Sequence, residues 1–164
     1  MPGRKKIKIG ISACLLGVHC RYDGQEKSCP VIFDLLKDKV QFIPVCPEMN
    51  AGLGVPRPPM HLEASPHGTR VKVTATGEDK TEELMDWIRT EVHLLERADI
   101  AAFIFKARSP SCGLKDVELF SPGGKRSLGT CGQGLFAAAM KRNFPEMTMV
   151  EESDFPEAAD KLFY

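Results

Sequence analysis

Residues 100–113, IAAFIFKARSPSCG, decide the fold. The stretch opens as an apolar, aromatic-rich run that reads as a buried strand. It breaks at Pro110 and presents Ser109, Ser111 and Cys112 in a tight turn closed by Gly113. Two earlier stretches share the design: Ile7 to Cys14 (IKIGISAC) and Gln41 to Cys46 (QFIPVC) are β-rich runs with a cysteine at the carboxyl end. In an open α/β sheet, ligands bind in the crevice beyond the carboxyl ends of the strands. Parallel alignment of these three strands would therefore bring Cys14, Cys46 and Cys112 to one place.

The intervening sequence supplies the helices that such a sheet needs. Ser28 is expected to cap a helix with Pro30 in its first turn and a buried stripe of Val31, Ile32, Leu35 and Leu36. Asp79 or Thr81 is expected to cap the longest helix, over about Glu82–Ala98, with Leu84, Met85, Ile88, Val92 and Leu95 inward. Leu135–Asn143 reads as an alanine-rich helix, Met147–Val150 as a last strand, and the tail as a short helix docked through Leu162 and Phe163. Between Cys46 and the long helix, Gly52, Gly54, Pro56, Pro58 and Pro59 forbid helix or central strand and predict a stiff loop beside the site. Val71–Thr74 reads as a short strand at a sheet edge, and Val117–Phe120 as a brief strand. Alternation of strand and helix predicts an α/β fold, a single-domain open, mostly parallel sheet flanked by helices over residues 1–164, with the site at the C-terminal ends of the strands.

Composition narrows the function. The chain has 164 residues, 43% of them hydrophobic, enough for one domain with a real core. Lysine plus arginine and aspartate plus glutamate both number 22, so the net charge is zero and nothing argues for nucleic acid or an anionic membrane. No apolar run approaches the ~20 residues of a membrane span. The first strand is interrupted by Lys8 and Gly10, against a signal peptide, so a cytoplasmic location is expected. Six cysteines (14, 20, 29, 46, 112 and 131) then suggest metal binding or redox chemistry rather than disulfides.

Three thiolates from separate loops suit a soft metal or an iron–sulfur cluster. Zinc remains an alternative, completed by His19 or Cys20, although the paired CxxC signature is absent. A cubane normally takes four cysteines, so three would leave an iron open for Lewis-acid chemistry. Glu48, two residues past Cys46, is placed to act as a general base beside the metal, or else is an ordinary surface carboxylate. Ser109 and Ser111 either bind a substrate or cap their turn. Asp23 is a turn residue unless it forms a polar wall with Arg21, and Lys106 and Arg108 add positive charge at a strand end. Gly129–Gly134 would let a phosphate approach a helix N-terminus, though the stretch matches no Walker A loop. Cys20, Cys29 and Cys131 fit equally well as small buried hydrophobes.

The motifs ISACLLG…RYDG, PVCPE…GLGVPRPP and KARSPSCG together resemble the 2-thiouracil desulfidase family, from Ile9 to about Val150. That resemblance implies a [4Fe-4S] cluster on Cys14, Cys46 and Cys112. It also implies a catalytic glutamate and serine, matched by Glu48 and by Ser109, with Ser111 the second choice for the serine. The substrate would be a small thiolated molecule, with Ser111, Asp23 and Lys106 as contacts. The implied reaction is hydrolytic and non-redox, with the cluster polarising the C–S bond and accepting sulfur. Cysteine at positions 20 and 131 departs from the pattern. Two other functions are consistent with the cysteines: a metal or sulfur carrier without turnover, and a sulfurtransferase using a persulfide on Cys112.

Overall fold

The computed structural model describes residues 3–19, 21–24 and 28–163. Four strands form a parallel sheet: β1 (Ile7–Ser12), β2 (Val40–Val45), β5 (Ala102–Phe105) and β7 (Thr148–Glu151), in the order β2-β1-β5-β7. Ile9 pairs with Phe42 on one side and Ala102 on the other, and Phe103 pairs with Met149. The chain leaves β1 toward β2 and later returns to the opposite side of β1 as β5. That reversal creates a crevice at the carboxyl ends of β1 and β5.

A second, three-stranded sheet, β4-β3-β6, is built from β3 (Met60–Glu63), β4 (Arg70–Val73) and β6 (Leu119–Phe120). The first two are antiparallel, with Met60 opposite Val73. Arg70–Val73 is an edge strand, in line with the sequence, but its partner β3 was not expected. Alternation is hidden there because the inward Glu63 is buried as an ion, held by His61 Nε2 at 2.7 Å, the Gly123 N–H at 2.9 Å and Lys72 Nζ at 3.2 Å.

Helices cover the parallel sheet: α1 (Pro30–Leu36), the short α2 (Pro47–Asn50), α3 (Thr81–Ala98) and α4 (Leu135–Asn143). The period-2 pattern of β5 divides the core. Phe103 and Phe105 point to the α3 and α4 side, where Leu84, Ile88, Val92, Leu95, Phe136 and Met140 are buried with them. Ala102 and Ile104 point the other way, onto Ile32, Leu36 and the tail residues Ala158 and Leu162. The rings of Phe103 and Phe105 stack at 4.4 Å, with Phe136 edge-on to Phe103 at 5.5 Å. Burying each such ring contributes roughly 1.5–3 kcal/mol. Gly10 on β1 is required by this cluster, since a methyl group there would enter the Phe103 ring.

Helix ends follow local chemistry, with small shifts from the sequence reading. The Asp79 carboxylate accepts the Thr81 N–H at 2.9 Å at the start of α3, and Lys8 Nζ donates to Ala98 O at 3.2 Å near its end. Helix α1 is entered from Cys29 rather than Ser28, and only Ile32 and Leu36 of the expected stripe are buried. Val31 and Leu35 face solvent because a seven-residue helix meets the sheet along a single ridge. Pro44 is accommodated because β2 is an edge strand. Among the described residues no helix is long and apolar enough to cross a membrane.

Candidate active site

Cys14, Cys46 and Cys112 all line one cavity, of about 320 Å³, at the carboxyl edge of the parallel sheet. Each is delivered by a strand. Cys14 lies in the single-turn helix Ala13–Leu16 directly after β1, Cys46 immediately precedes α2 after β2, and Cys112 lies in the loop after β5. Cys14 and Cys112 are buried, and Cys46 is half-buried. Burial pushes the Cys112 thiol up to about 12; Cys46 and Glu48 push it the same way, while hydrogen bonds with Ser12 and Ser111 oppose the shift.

The Cys112 loop is held from three directions. On the β1 side, Ser12 Oγ accepts the Lys106 N–H at 2.9 Å where the strand pairing stops. From the end of β7, Glu152 accepts the Ala107 N–H at 2.6 Å and pairs with Lys106 Nζ at 2.8 Å. Glu151 accepts the Leu114 N–H at 3.0 Å; burial pushes its carboxyl up, and Glu152 adds to that while the Leu114 and Lys115 amides pull it down. From beneath, the first turn of α4 donates to the loop's carbonyls: Leu135 N to Pro110 O at 3.2 Å, and Phe136 N to Ser111 O at 2.9 Å. These amides would have been the phosphate donors suggested by Gly129–Gly134, and the protein's own carbonyls take them instead. Arg108, in the same loop, adopts a left-handed backbone with φ 64°.

Glu48 is the single carboxylate among the described residues lining the cavity. Its two oxygens are held from opposite sides. Ser111 Oγ donates to Oε2 at 2.8 Å, and Arg57 Nε donates to Oε1 at 3.1 Å. Ser109 Oγ lies 3.1 Å from Ser111 Oγ and accepts the backbone N–H groups of Ser111 (3.2 Å) and Cys112 (3.1 Å). A hydroxyl has one proton, and that of Ser111 goes to the carboxylate, so Ser109 donates to Ser111. Ser111 is only 1% exposed, whereas Ser109 is half-buried at the cavity wall.

The remaining sequence-predicted residues are distributed around this centre. Lys106 lines the cavity, with Nζ held by Glu152 and by the Ala107 carbonyl at 2.9 Å. Arg21 and Tyr22 line it too, and Asp23 stands behind them, 3.7 Å from Arg21. Cys131 is exposed and Cys29 half-buried, and neither reaches the cavity; Cys20 lies outside the described residues. Arg57 is the residue that sequence reasoning missed. The available signal was a lone cation inside the Pro- and Gly-stiffened loop already expected to cover the site.

The open α/β sheet thus brings three thiols, a carboxylate and two serines together at its switch point. The chain belongs to the 2-thiouracil desulfurase family, whose model matches residues 9–152. It is 33% identical over 137 residues to the uncharacterized protein YbbK of Bacillus subtilis (strain 168), covering 80% of this chain and 88% of that one. Among solved structures it is similar to the [4Fe-4S]-dependent thiouracil desulfidase TudS, with a TM-score of 0.75 and 31% identity over 96% of this chain and 98% of the other.

Proposed function

We propose that residues 1–164 form one desulfidase domain that removes sulfur from thiolated pyrimidines or related small thioamides by hydrolysis. The observation that carries the reading is the meeting of three strand-end thiols with a Glu48–Ser111–Ser109 hydrogen-bonded chain in one cavity. Cys14, Cys46 and Cys112 are the residues that would hold a [4Fe-4S] cluster. Among the described residues no three His, Cys, Asp or Glu side chains are gathered tightly enough to hold a single metal ion. Three thiols lining one cavity of about 320 Å³ leave room for a group several atoms wide. When bound on three cysteines, such a cluster supplies an open Lewis-acid iron for a thiocarbonyl sulfur.

The chain's own residues then have distinct tasks. Glu48 takes a proton from water, whose oxygen attacks the thiocarbonyl carbon. Ser109, whose oxygen holds the Ser111 and Cys112 amides and whose proton goes to Ser111, orients the Ser111 hydroxyl that ties the loop to Glu48. Lys106 and Arg21 border the substrate, with Asp23 behind Arg21. Across the reaction C=S and water become C=O and hydrogen sulfide, with no net electron transfer.

The test is to purify the protein without oxygen, measure iron and acid-labile sulfide, and assay 2-thiouracil. About four of each per chain, with release of uracil and sulfide, is the expected result. Glu48→Ala should keep the iron and lose turnover. Zinc alone after reconstitution, or full turnover in Glu48→Ala, would overturn the mechanism.

A further inference from the structure

A cavity carboxylate is useful only if it points where the reaction needs it. Glu48 belongs to a helix of four residues, too short to impose a side-chain direction by packing. Its orientation therefore depends on what touches the carboxylate. Ser111 accounts for one oxygen; the other is held by Arg57, nine residues on.

Arg57 is built for this contact. Its side chain is 5% exposed, and Nη1 donates to Gly54 O at 2.8 Å while Nε donates to Glu48. Its backbone N–H donates to Tyr22 O at 2.7 Å, joining the same residue to the loop that carries Arg21 and Tyr22. The guanidinium is thus fixed on one side by its own loop and presents a rigid donor on the other. A buried ion pair contributes little net stability once desolvation is counted. Its useful property here is direction: with Nη1 tied to Gly54 O, the planar guanidinium aims Nε at one carboxylate oxygen, which a freely rotating lysine ammonium would not reproduce.

We infer that Arg57 is a positioning residue that aims the Glu48 carboxylate into the cavity. The inference rests on Glu48 acting as the base in the proposed reaction. Misplacing a reacting group by ~1 Å can lower turnover about 10²-fold. Arg57→Met should therefore lower kcat by about that factor, with little change in KM or in iron per chain. Arg57→Lys should recover part of the loss.

The discriminating experiment is a double-mutant cycle with Glu48→Gln, read in two ways. In kcat, Arg57→Met should cost nothing further in the Glu48→Gln background. In the melting temperature of the cofactor-free protein, Arg57→Met should cost more when Glu48 is intact than in the Glu48→Gln background, where a neutral amide replaces the carboxylate. Additive losses in both readouts would mean that Arg57 only folds its loop, and would overturn the inference. Wild-type kcat in Arg57→Met would overturn it as well. Should Arg57→Met not fold, Arg57→Lys carries the same cycle. Absence of turnover in the wild-type protein would refute the proposed reaction, while the melting cycle would still show whether Arg57 acts on Glu48.

Discussion

Gly134, the residue that leads into α4, offers the sharpest test of how the Cys112 loop is held. Its backbone (φ −59°, ψ 145°) is one that alanine adopts freely, so Gly134→Ala probes space alone. A Cβ there would meet Ser111 C and O at 2.5 Å and Cys112 N at 2.8 Å, where ordinary contact begins at 3.4 Å. All three are backbone atoms and cannot swing aside. The loop must retreat from α4 by about 0.9 Å, stretching the Gly134 N to Gly113 O bond, now 2.7 Å. Overpacking of this kind costs about 1–3 kcal/mol. At about 2–4 °C per kcal/mol for a chain of this size, the melting temperature of the cofactor-free protein should fall by roughly 2–12 °C. Since Ser111 and Cys112 themselves move, turnover should fall about 10²-fold. Differential scanning fluorimetry, iron content and the 2-thiouracil assay would read these effects. A Gly134→Ala protein with wild-type melting and turnover would refute the claim that α4 and the loop are in tight contact.

Replacing Cys14, Cys46 or Cys112 singly by serine should abolish iron retention, whereas Cys131→Ser should leave it intact; the check is iron per chain after anaerobic reconstitution. Glu152→Ala removes the acceptor of the Ala107 N–H and the partner of Lys106, and should cost about 1–3 kcal/mol and speed iron loss to a chelator. The Glu63 carboxyl is pushed up by burial, but the hydrogen bonds from His61, Gly123 and Lys72 outweigh this and hold it below its ordinary value of 4.5. The folded state then binds fewer protons than the unfolded one, so stability from Glu63 is present above that value and lost as pH falls through the lower folded one. Glu63→Gln should melt lower at neutral pH and show a shallower acid loss, measured by urea titration across pH 3–7.

The part of the site carried by strands was legible because strand ends are written locally. Apolar runs closing on Cys14, Cys46 and Cys112 state both the element and its exit point, and parallel order does the rest. The second sheet was harder to read. His61 and Glu63 give β3 a polar appearance, and only the distant Gly123 amide and Lys72 explain why Glu63 is buried. Helix α1 shows the converse error, where Val31 and Leu35 look like core by spacing but have nothing to pack against. Ser109 and Ser111 could not be told apart because residues two apart in a turn have no fixed relative direction. Only their bonds to Cys112 N and Glu48 separate them. Arg57 was missed for a related reason: an ion pair across a proline-rich loop has no periodicity, so only its lone charge marked it.

The reversal between β1 and β5 also sets a timetable. Ile9 pairs with Ala102, so the crevice exists only after two segments some ninety residues apart have met. Parallel pairings over such separations are among the slower steps of folding. Cys14 and Cys46 emerge from the ribosome well before Cys112, yet cannot share a cavity with it until the sheet is complete. The aromatic core around Phe103, Phe105 and Phe136 is assembled from the polypeptide alone. If these three thiols carry the proposed cofactor, it would enter only after the sheet has closed, and the emptied protein should remain folded and able to be loaded again.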